Sequence, residues 1–180
     1  GTISLSSNLA TEVIGDRFST VVTMSGRVFY SGLNRGNHED SNVILFSRII
    51  EGASSGVSVD SAGLGDCHQK NDPTSEDFSD LLDDDGGVIR IPEAYGIRKL
   101  HQFNNSIFVF AENGVWQVKG VDDVFRATGF AVNKISSVGL FNRETFVSAD
   151  GIPFWWSDQG IHTLGFDGQT FQATENNISL

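Results

Sequence analysis

The chain has 180 residues, enough for one domain with a hydrophobic core, and 39% of them are hydrophobic, which excludes a mostly disordered protein. Its formal net charge of −11 disfavours a protein that grips nucleic acid, because that function needs clustered Lys and Arg to neutralise phosphates. The single cysteine, Cys67, excludes an internal disulfide framework, and no run of about 20 apolar residues predicts a membrane span.

The composition predicts an all-β fold. The chain holds 20 Gly and 14 Phe but only 3 Pro, a balance typical of short strands joined by tight turns. The first predicted hairpin covers residues 20–30 and turns at Gly26. Because the chain starts at Gly1 and its only methionine is Met24, we interpret it as an ordered piece of a longer protein.

The middle of the chain interrupts this strand pattern. Residues 52–65 are small, polar and rich in glycine, which predicts a loop. One short helix is predicted near residues 75–82, where Ser75 is suited to cap the first turn. Phe78, Leu81 and Leu82 then fall on one helical face. Strand character resumes at Val88.

The second half of the chain reads as two runs of short strands. In the first run, strands are predicted at residues 97–103, 106–111 and 115–118. In the second run, they are predicted at residues 144–149, 152–156, 161–164 and 169–173. The turns of the second run are predicted at residues 150–151, 157–160 and 165–168. Four such strands make an up-and-down meander.

A weak internal repeat supports this reading. Residues 108–118 align without gaps over residues 154–164, and residues 20–30 form a fainter copy. A repeat near 45 residues has the size of one four-stranded propeller blade. The sequence therefore predicts four-stranded antiparallel meander blades, β-propeller-like but partial. The predicted division is a blade portion at 1–51, a loop and short-helix insertion at 52–87, and two meander blades at 88–180.

Several residues are of types that carry chemistry, but none of them predicts a catalytic, cofactor or metal site. The first candidate is an acidic run consisting of Glu76, Asp77, Asp80, Asp83, Asp84 and Asp85. Clustered carboxylates suit Ca²⁺, but EF-hand spacing would place the first ligand at Leu81. We interpret the run as a solvated helix end and turn.

The cysteine, the histidines and the paired tryptophans receive similar interpretations. Cys67 and His68 are neighbours in sequence, whereas a catalytic Cys/His pair is normally assembled by the fold. The remaining histidines, interpreted as ordinary strand or loop residues, are His38, His101 and His162. Trp155 and Trp156 are adjacent on a predicted strand, so their side chains should point to opposite faces. One is expected in the core, and the other is a candidate sugar or protein contact.

The sequence also resembles the tail nozzle, or tail tubular, protein of short-tailed bacteriophages. Five pieces carry the resemblance: residues 26–32 (GRVFYSG), 43–48 (VILFSR), 67–76 (CHQKNDPTSE), 84–89 (DDGGVI) and 113–116 (NGVW). The hairpin at residues 155–164 is similar to the repeated hairpins of that family. Together these pieces span most of residues 26 to 164, and the run through Asp72-Pro73-Thr74 is the most specific of them.

The resemblance implies a structural role in the virion. It implies a β-propeller-containing subunit of a homo-oligomeric ring, hexameric in the family, that contacts other tail proteins such as the adaptor and tail fibres. DNA would pass through this ring without specific binding. No catalytic residue, cofactor or metal is implied. The alternatives left open are a carbohydrate- or receptor-binding propeller module and a hydrolase on a propeller scaffold.

Overall fold

The structure is a computed structural model, and it describes residues 18–32, 41–49, 82–166 and 173–178. These residues form three four-stranded antiparallel sheets, and in each sheet the strands are neighbours in chain order. The prediction of an all-β fold built from four-stranded antiparallel meanders is confirmed.

The first sheet contains β1 (Thr20–Met24), β2 (Arg27–Ser31), β3 (Val43–Phe46) and β4 (Gly87–Arg90). The second sheet contains β5 (Lys99–Phe103), β6 (Ser106–Ala111), β7 (Gly114–Gly120) and β8 (Phe130–Ser136). The third sheet contains β9 (Phe146–Ala149), β10 (Ile152–Ser157), β11 (Gly160–Phe166) and β12 (Ala173–Asn177), and a 3-10 turn at Arg143–Thr145 precedes it.

Two hairpins turn through residues with left-handed backbone. Ser25 and Gly26 have φ of 51° and 71°, and Asp150 and Gly151 have φ of 50° and 82°. Two successive positive φ values define the type I′ turn, whose twist matches that of antiparallel strands and which favours Gly at its second position. Both turns join the first two strands of a sheet. The Gly26 hairpin is therefore equivalent to the Asp150–Gly151 hairpin. The alignment of residues 20–30 with residues 108–118 and 154–164 predicted a different match, because the hairpins at Gly114 and Gly160 join the second and third strands of their sheets.

The fourth strand of the first sheet comes from a segment that lies far along the chain from the other three strands. Strand β4 pairs with β3 in antiparallel register, so that Phe46 lies opposite Gly87. Residues 87–90 thus belong with β1 to β3, although the sequence division placed residue 88 at the start of the two later blades. The predicted loop at 52–65 lies outside the described residues. So does the predicted helix, except for Leu82, which precedes a turn at residues 83 and 84.

The first and second sheets share one hydrophobic core. The first sheet contributes Phe29, Ile44, Phe46 and Ile89, and the second contributes Leu100, Val109, Trp116 and Val118. Phe125, from the connection between β7 and β8, enters this core and makes edge contacts with Phe29 and Phe46 at centroid distances of 5.0 and 5.1 Å. These aromatic contacts fix how the two sheets face each other.

A second core joins the second and third sheets. Phe108, Phe110 and Val115 on the second sheet pack against Trp155 and Leu164 on the third. The rings of Phe110 and Trp155 meet edge to face at 5.3 Å. The second sheet is therefore covered on both faces, and its central strand β6 is buried along its whole length. The three sheets stack in chain order, with β1 beside β5 and β8 beside β12.

The last strand differs from the prediction. The sequence placed it at residues 169–173, after a turn at 165–168, but β11 continues through Phe166 and β12 occupies Ala173–Asn177. Asn is a poor strand former, so local propensity did not indicate Asn176 and Asn177. Pairing with β11 decides the position, with Phe166 opposite Ala173 and His162 opposite Asn177.

Within the part of the chain that the structure describes, no helix has the length and apolar character that crossing a membrane requires.

Candidate functional site

The third sheet contains a largely buried network of hydrogen-bonded polar side chains. The sequence pattern alone did not predict that these side chains meet. Ser157 Oγ lies 2.9 Å from His162 Nε2, and His162 Nδ1 lies 2.5 Å from Glu175 Oε1. The second carboxylate oxygen of Glu175 accepts a hydrogen bond from Ser136 Oγ of the neighbouring sheet at 2.5 Å. Four strands are thereby linked through side chains alone.

The strand registers bring these groups together. Trp155 lies opposite His162 across the β10–β11 pair, so Ser157, two residues after Trp155, points to the same inner face. Leu164 lies opposite Glu175 across the β11–β12 pair, which puts the carboxylate on that face as well. The Trp155 indole stacks on the imidazole at 5.5 Å. The sequence pattern did not indicate this cluster, because it predicted the last strand at residues 169–173 and so did not place Glu175 on a strand.

The order of atoms resembles a Ser-His-acid catalytic triad, in which the hydroxyl donates to one imidazole nitrogen and the carboxylate orients the other. A nucleophile must reach its substrate, however, and Ser157 is only 4% exposed and His162 only 1%. Ser157 Oγ also accepts a hydrogen bond from the Gln159 backbone N–H at 2.8 Å. In this conformation the arrangement crosslinks strands, and its hydroxyl and imidazole are shielded from solvent.

We expect the Ser157→Ala variant to lose stability. Removing the hydroxyl leaves buried polar groups on His162 and Gln159 without this partner, which should cost about 1–3 kcal/mol of unfolding free energy. Urea unfolding measures this loss, with the exposed Ser148→Ala as the matched control. A burst of p-nitrophenol from p-nitrophenyl acetate that vanishes in Ser157→Ala would contradict the structural reading.

His101 joins the second sheet to the third. Its Nε2 lies 2.7 Å from the Gly151 carbonyl oxygen, so the neutral ring donates from Nε2 to the turn between β9 and β10. Burial lowers the pKa of His101 below its ordinary value of 6.5. The hydrogen bond to Gly151 opposes this effect, and the charge on Lys99 adds to it. The folded protein therefore favours the neutral imidazole.

The lowered pKa of His101 predicts that acid destabilises the fold. Below about pH 6.5 the unfolded chain binds a proton at His101 that the folded chain takes up only at lower pH, so unfolding free energy falls as pH falls. For one proton the slope is at most about 1.4 kcal/mol per pH unit. Urea unfolding between about pH 8 and 5 should show a shallower slope for His101→Gln. An unchanged slope would contradict this assignment.

The acidic run continues into the described residues as a tightly held turn. The buried Arg27 guanidinium donates from Nη1 to the Ser47 carbonyl at 2.7 Å and to the Asp85 carbonyl, and from Nη2 to the Asp83 carbonyl. The Asp85 carboxylate accepts from the Leu82 N–H at 3.0 Å. The interpretation of this run as a solvated turn is therefore wrong at Asp85, which is buried.

Burial lowers the pKa of Arg27, while the nearby carboxylates of Asp84, Asp85 and Asp83 raise it. An arginine stays protonated under these conditions. Its charge also faces the rings of Phe46 and Phe125 at 5.6 and 5.8 Å. Arg27 thus fastens the chain returning at residue 82 to the first sheet.

A shallow cleft lies where the first sheet meets the second. Its volume is about 270 Å³, and its lining residues include Arg90, Glu93, Trp116 and Lys134. Lys134 Nζ stands 5.2 Å from the Trp116 ring centroid, a cation–π contact that already occupies the face of the indole. Of the polar and aromatic side chains lining the cleft, Lys134 and Trp116 are therefore already paired with each other.

The two tryptophans of β10 point to opposite faces, as predicted. Trp155 is 1% exposed and lies in the core between the second and third sheets, whereas Trp156 is 57% exposed. Ile161 is the cross-strand partner of Trp156 and is also exposed.

The other sequence candidates are not assembled into a site among the described residues. Within that part of the chain, no group of three or more His, Cys, Asp or Glu side chains is placed to hold a metal ion. The candidates that lie outside the described residues are His38, Cys67, His68, Glu76, Asp77 and Asp80.

Comparison with models of known protein families finds no match to this chain. A search among curated proteins finds no matching protein either.

Proposed function

We propose that this chain is a structural subunit of a bacteriophage tail, forming part of the nozzle through which DNA leaves the virion. The resemblance of residues 26–32, 43–48, 67–76, 84–89 and 113–116 to tail tubular proteins motivates the proposal. We further propose that the three stacked sheets are blades of an incomplete β-propeller, since each is an up-and-down meander of four strands.

The structural observation that supports this proposal is a group of exposed apolar side chains on the third sheet. Val147, Trp156, Ile161 and Ile178 are all exposed there. Exposed clusters of large apolar side chains mark sites of interaction with proteins or membranes, or ligand-binding grooves. A subunit that is buried among neighbours in a tail would carry such a surface.

The polar interior favours a scaffold over an enzyme. Ser157, His162 and Glu175 join three neighbouring strands of the third sheet, and Arg27 donates to carbonyls 20 to 58 residues away. Buried hydrogen-bond networks of this kind rigidify a fold. A tail component needs rigidity, and we propose that the protein is not an enzyme.

The negative net charge of the chain agrees with a role in a conduit for DNA. At −11 the chain repels phosphates, so passing DNA would not stick to its surface. The proposed partners are further copies in a ring and the adjoining tail proteins.

Cryo-EM of the phage particle whose genome encodes this chain tests the proposal. We expect symmetric density at the distal end of the tail that accommodates three four-stranded sheets per subunit. Immunogold labelling with antibodies raised against the chain gives a second readout. Particles that lack the chain, or that carry it at a site away from the tail, would refute the nozzle function.

A receptor- or carbohydrate-binding module is the second candidate, and exposed Trp156 favours it, since aromatic faces stack on sugars. Its cross-strand neighbour is Ile161, however, and Val147 is exposed on the same face, which makes the surface mainly apolar. A glycan array separates the two functions. Specific binding that is lost in Trp156→Ala would replace the structural proposal.

A further inference from the structure

The cleft of about 270 Å³ lies where the last strands of the first and second sheets meet. One wall is the segment 90–93, and the other consists of Trp116, Val132 and Lys134. Trp116 lies opposite Lys134 across the β7–β8 pair, and Val132 lies opposite Val118. Since side chains at i and i+2 share a face, Val132 and Lys134 both point from β8 toward the cleft.

Strand β8 lies at the edge of the second sheet. The strand order is β5, β6, β7 and β8, so among the described residues only β7 pairs with β8 in this sheet. Backbone N–H and C=O groups on the open side of an edge strand can pair with a further strand, and extended peptides bind to sheets in this way. The side chains of such a peptide alternate, so every second one would enter the cleft.

The cleft is bordered by two cations that have no carboxylate partner. Three arginines elsewhere in the described part of the chain, Arg98, Arg126 and Arg143, each have a carboxylate oxygen at 3.0 to 3.6 Å. Within the same described residues, no ion pair is formed by Arg90 or Lys134, which both line the cleft. Positive charge is therefore available here for an anionic group, although the chain as a whole carries −11.

The wall opposite β8 is held in place within the fold. The Ala94 N–H donates to the Ile91 carbonyl at 2.9 Å, which closes a tight turn with Pro92 at its second position. The Asn113 side chain, from the turn between β6 and β7, donates to the Glu93 carbonyl at 2.8 Å. A ligand therefore meets a preformed wall, and its binding does not have to order a flexible loop.

We propose that β8 binds an extended peptide segment of a partner protein as an additional strand, with a Glu or Asp side chain opposite Lys134 and an aliphatic side chain opposite Val132. Because side chains at i and i+2 share a face, the recognised pattern is an aliphatic residue, any residue and then an acidic residue, or the reverse order. Oppositely charged cross-strand pairs stabilise a sheet, and Arg90 adds a second cation to the cleft. This inference goes beyond the proposed tail function and does not depend on it.

Lys134 and Glu93 together select the kind of partner. A lysine on an edge strand disfavours pairing with an apolar strand, because its charge would lose solvent without gaining a partner. An acidic residue opposite Lys134 removes that penalty. Glu93 lines the same cleft, and its carboxylate, together with the net charge of −11, opposes a polyanion such as DNA. The site therefore fits a peptide with one acidic residue.

Fluorescence anisotropy with three labelled peptides tests the recognised pattern. The peptide SVTLTETS has leucine and glutamate two positions apart, SVTLTQTS lacks the charge, and SVTLETTS puts these two side chains on opposite faces of a strand. The full chain, titrated to about 1 mM, should bind the first peptide about 5-fold more tightly than either of the others. Equal affinities for the three peptides, or no binding at about 1 mM, would overturn the proposal.

Substitutions at Lys134 test the charge pair. Lys134→Gln should weaken the binding of SVTLTETS about 5-fold, and Lys134→Glu should invert the preference, so that SVTLTKTS becomes the tighter ligand. Lys119→Gln is the matched control, because Lys119 lies on β7 of the same sheet, on the face opposite to Trp116. Urea unfolding midpoints establish that the variants remain folded. An affinity unchanged by Lys134→Gln would contradict the assignment.

Hydrogen exchange in the complex locates the peptide. Backbone pairing should slow amide exchange within residues 130–136, with the edge strand β1 as the internal reference. Slower exchange at another edge strand and not at β8 would overturn the proposal. A short DNA duplex that displaces the peptide in a Lys134-dependent way would mean that the cleft binds phosphate, which also overturns it. None of these outcomes bears on whether the chain lies in a phage tail.

Discussion

The Arg27→Ala variant is expected to lose roughly 3–5 kcal/mol of unfolding free energy, because the substitution removes several buried hydrogen bonds and leaves a cavity. Arg27 is 1% exposed, and it donates to the carbonyls of Ser47, Asp83 and Asp85. Those carbonyls would have to pair elsewhere, and the segment returning at residue 82 would lose its attachment. Equilibrium urea unfolding, followed by tryptophan fluorescence, measures the change.

Arg126→Ala is the matched control for this prediction. Arg126 contacts the same segment through the Asp83 carboxylate at 3.6 Å, but both side chains are substantially exposed. Exposed ion pairs contribute about 0–1 kcal/mol. Arg27→Lys is also expected to be destabilising, because an ammonium group cannot reproduce the planar fork that reaches several carbonyls. Equal losses in Arg27→Ala and Arg126→Ala would show that the buried bonds contribute little.

Trp155→Ala is expected to lose about 3–5 kcal/mol of unfolding free energy, whereas Trp156→Ala should change the stability of the isolated chain by less than about 1 kcal/mol. Trp155 fills the core between the second and third sheets, where it contacts the Phe110 ring and stacks on His162. The substitution removes both contacts and leaves a cavity. Trp156 projects into solvent.

Trp155→Phe refines this comparison. Among the described residues no acceptor pairs with Trp155 Nε1, so phenylalanine removes a buried donor that has no hydrogen bond there. The loss should therefore be much smaller than for alanine. Acrylamide quenching offers an independent readout, since fluorescence from Trp156 should be quenched readily and that from Trp155 should be protected. Equal stability losses for the two alanine variants would contradict the assignment of opposite faces.

Much of the local structure was predictable from the residues alone. The Asp150–Gly151 turn, the strand Ser106–Ala111 and the opposite orientations of Trp155 and Trp156 all follow from short-range rules. A two-residue turn with Gly second sets the register of its own hairpin, and side chains alternate along any strand. The tail function, by contrast, is a proposal that rests on the resemblance to tail nozzle proteins.

The candidate polar sites were not predictable in the same way. His162 was read as an isolated strand histidine because Glu175 lies 13 residues later, on a strand whose position local propensity did not reveal. From the sequence alone, Arg27 is only one residue of the GRVFYSG piece, because its carbonyl partners lie 20 to 58 residues away. A one-residue change in the register of β12 would have placed Glu175 on the other face of the sheet.

The sequence by itself determined that this protein is all-β, that its strands form hairpins, and that Trp155 and Trp156 lie on opposite faces of theirs. These properties depend on backbone preferences and on a two-residue period, and both act between near neighbours. Only the tertiary structure decided that β4 completes the first sheet, that Arg27 holds the returning chain, and that Ser157, His162 and Glu175 meet. Those contacts depend on how whole sheets stack, which is a sum of many weak packing interactions between residues distant in sequence.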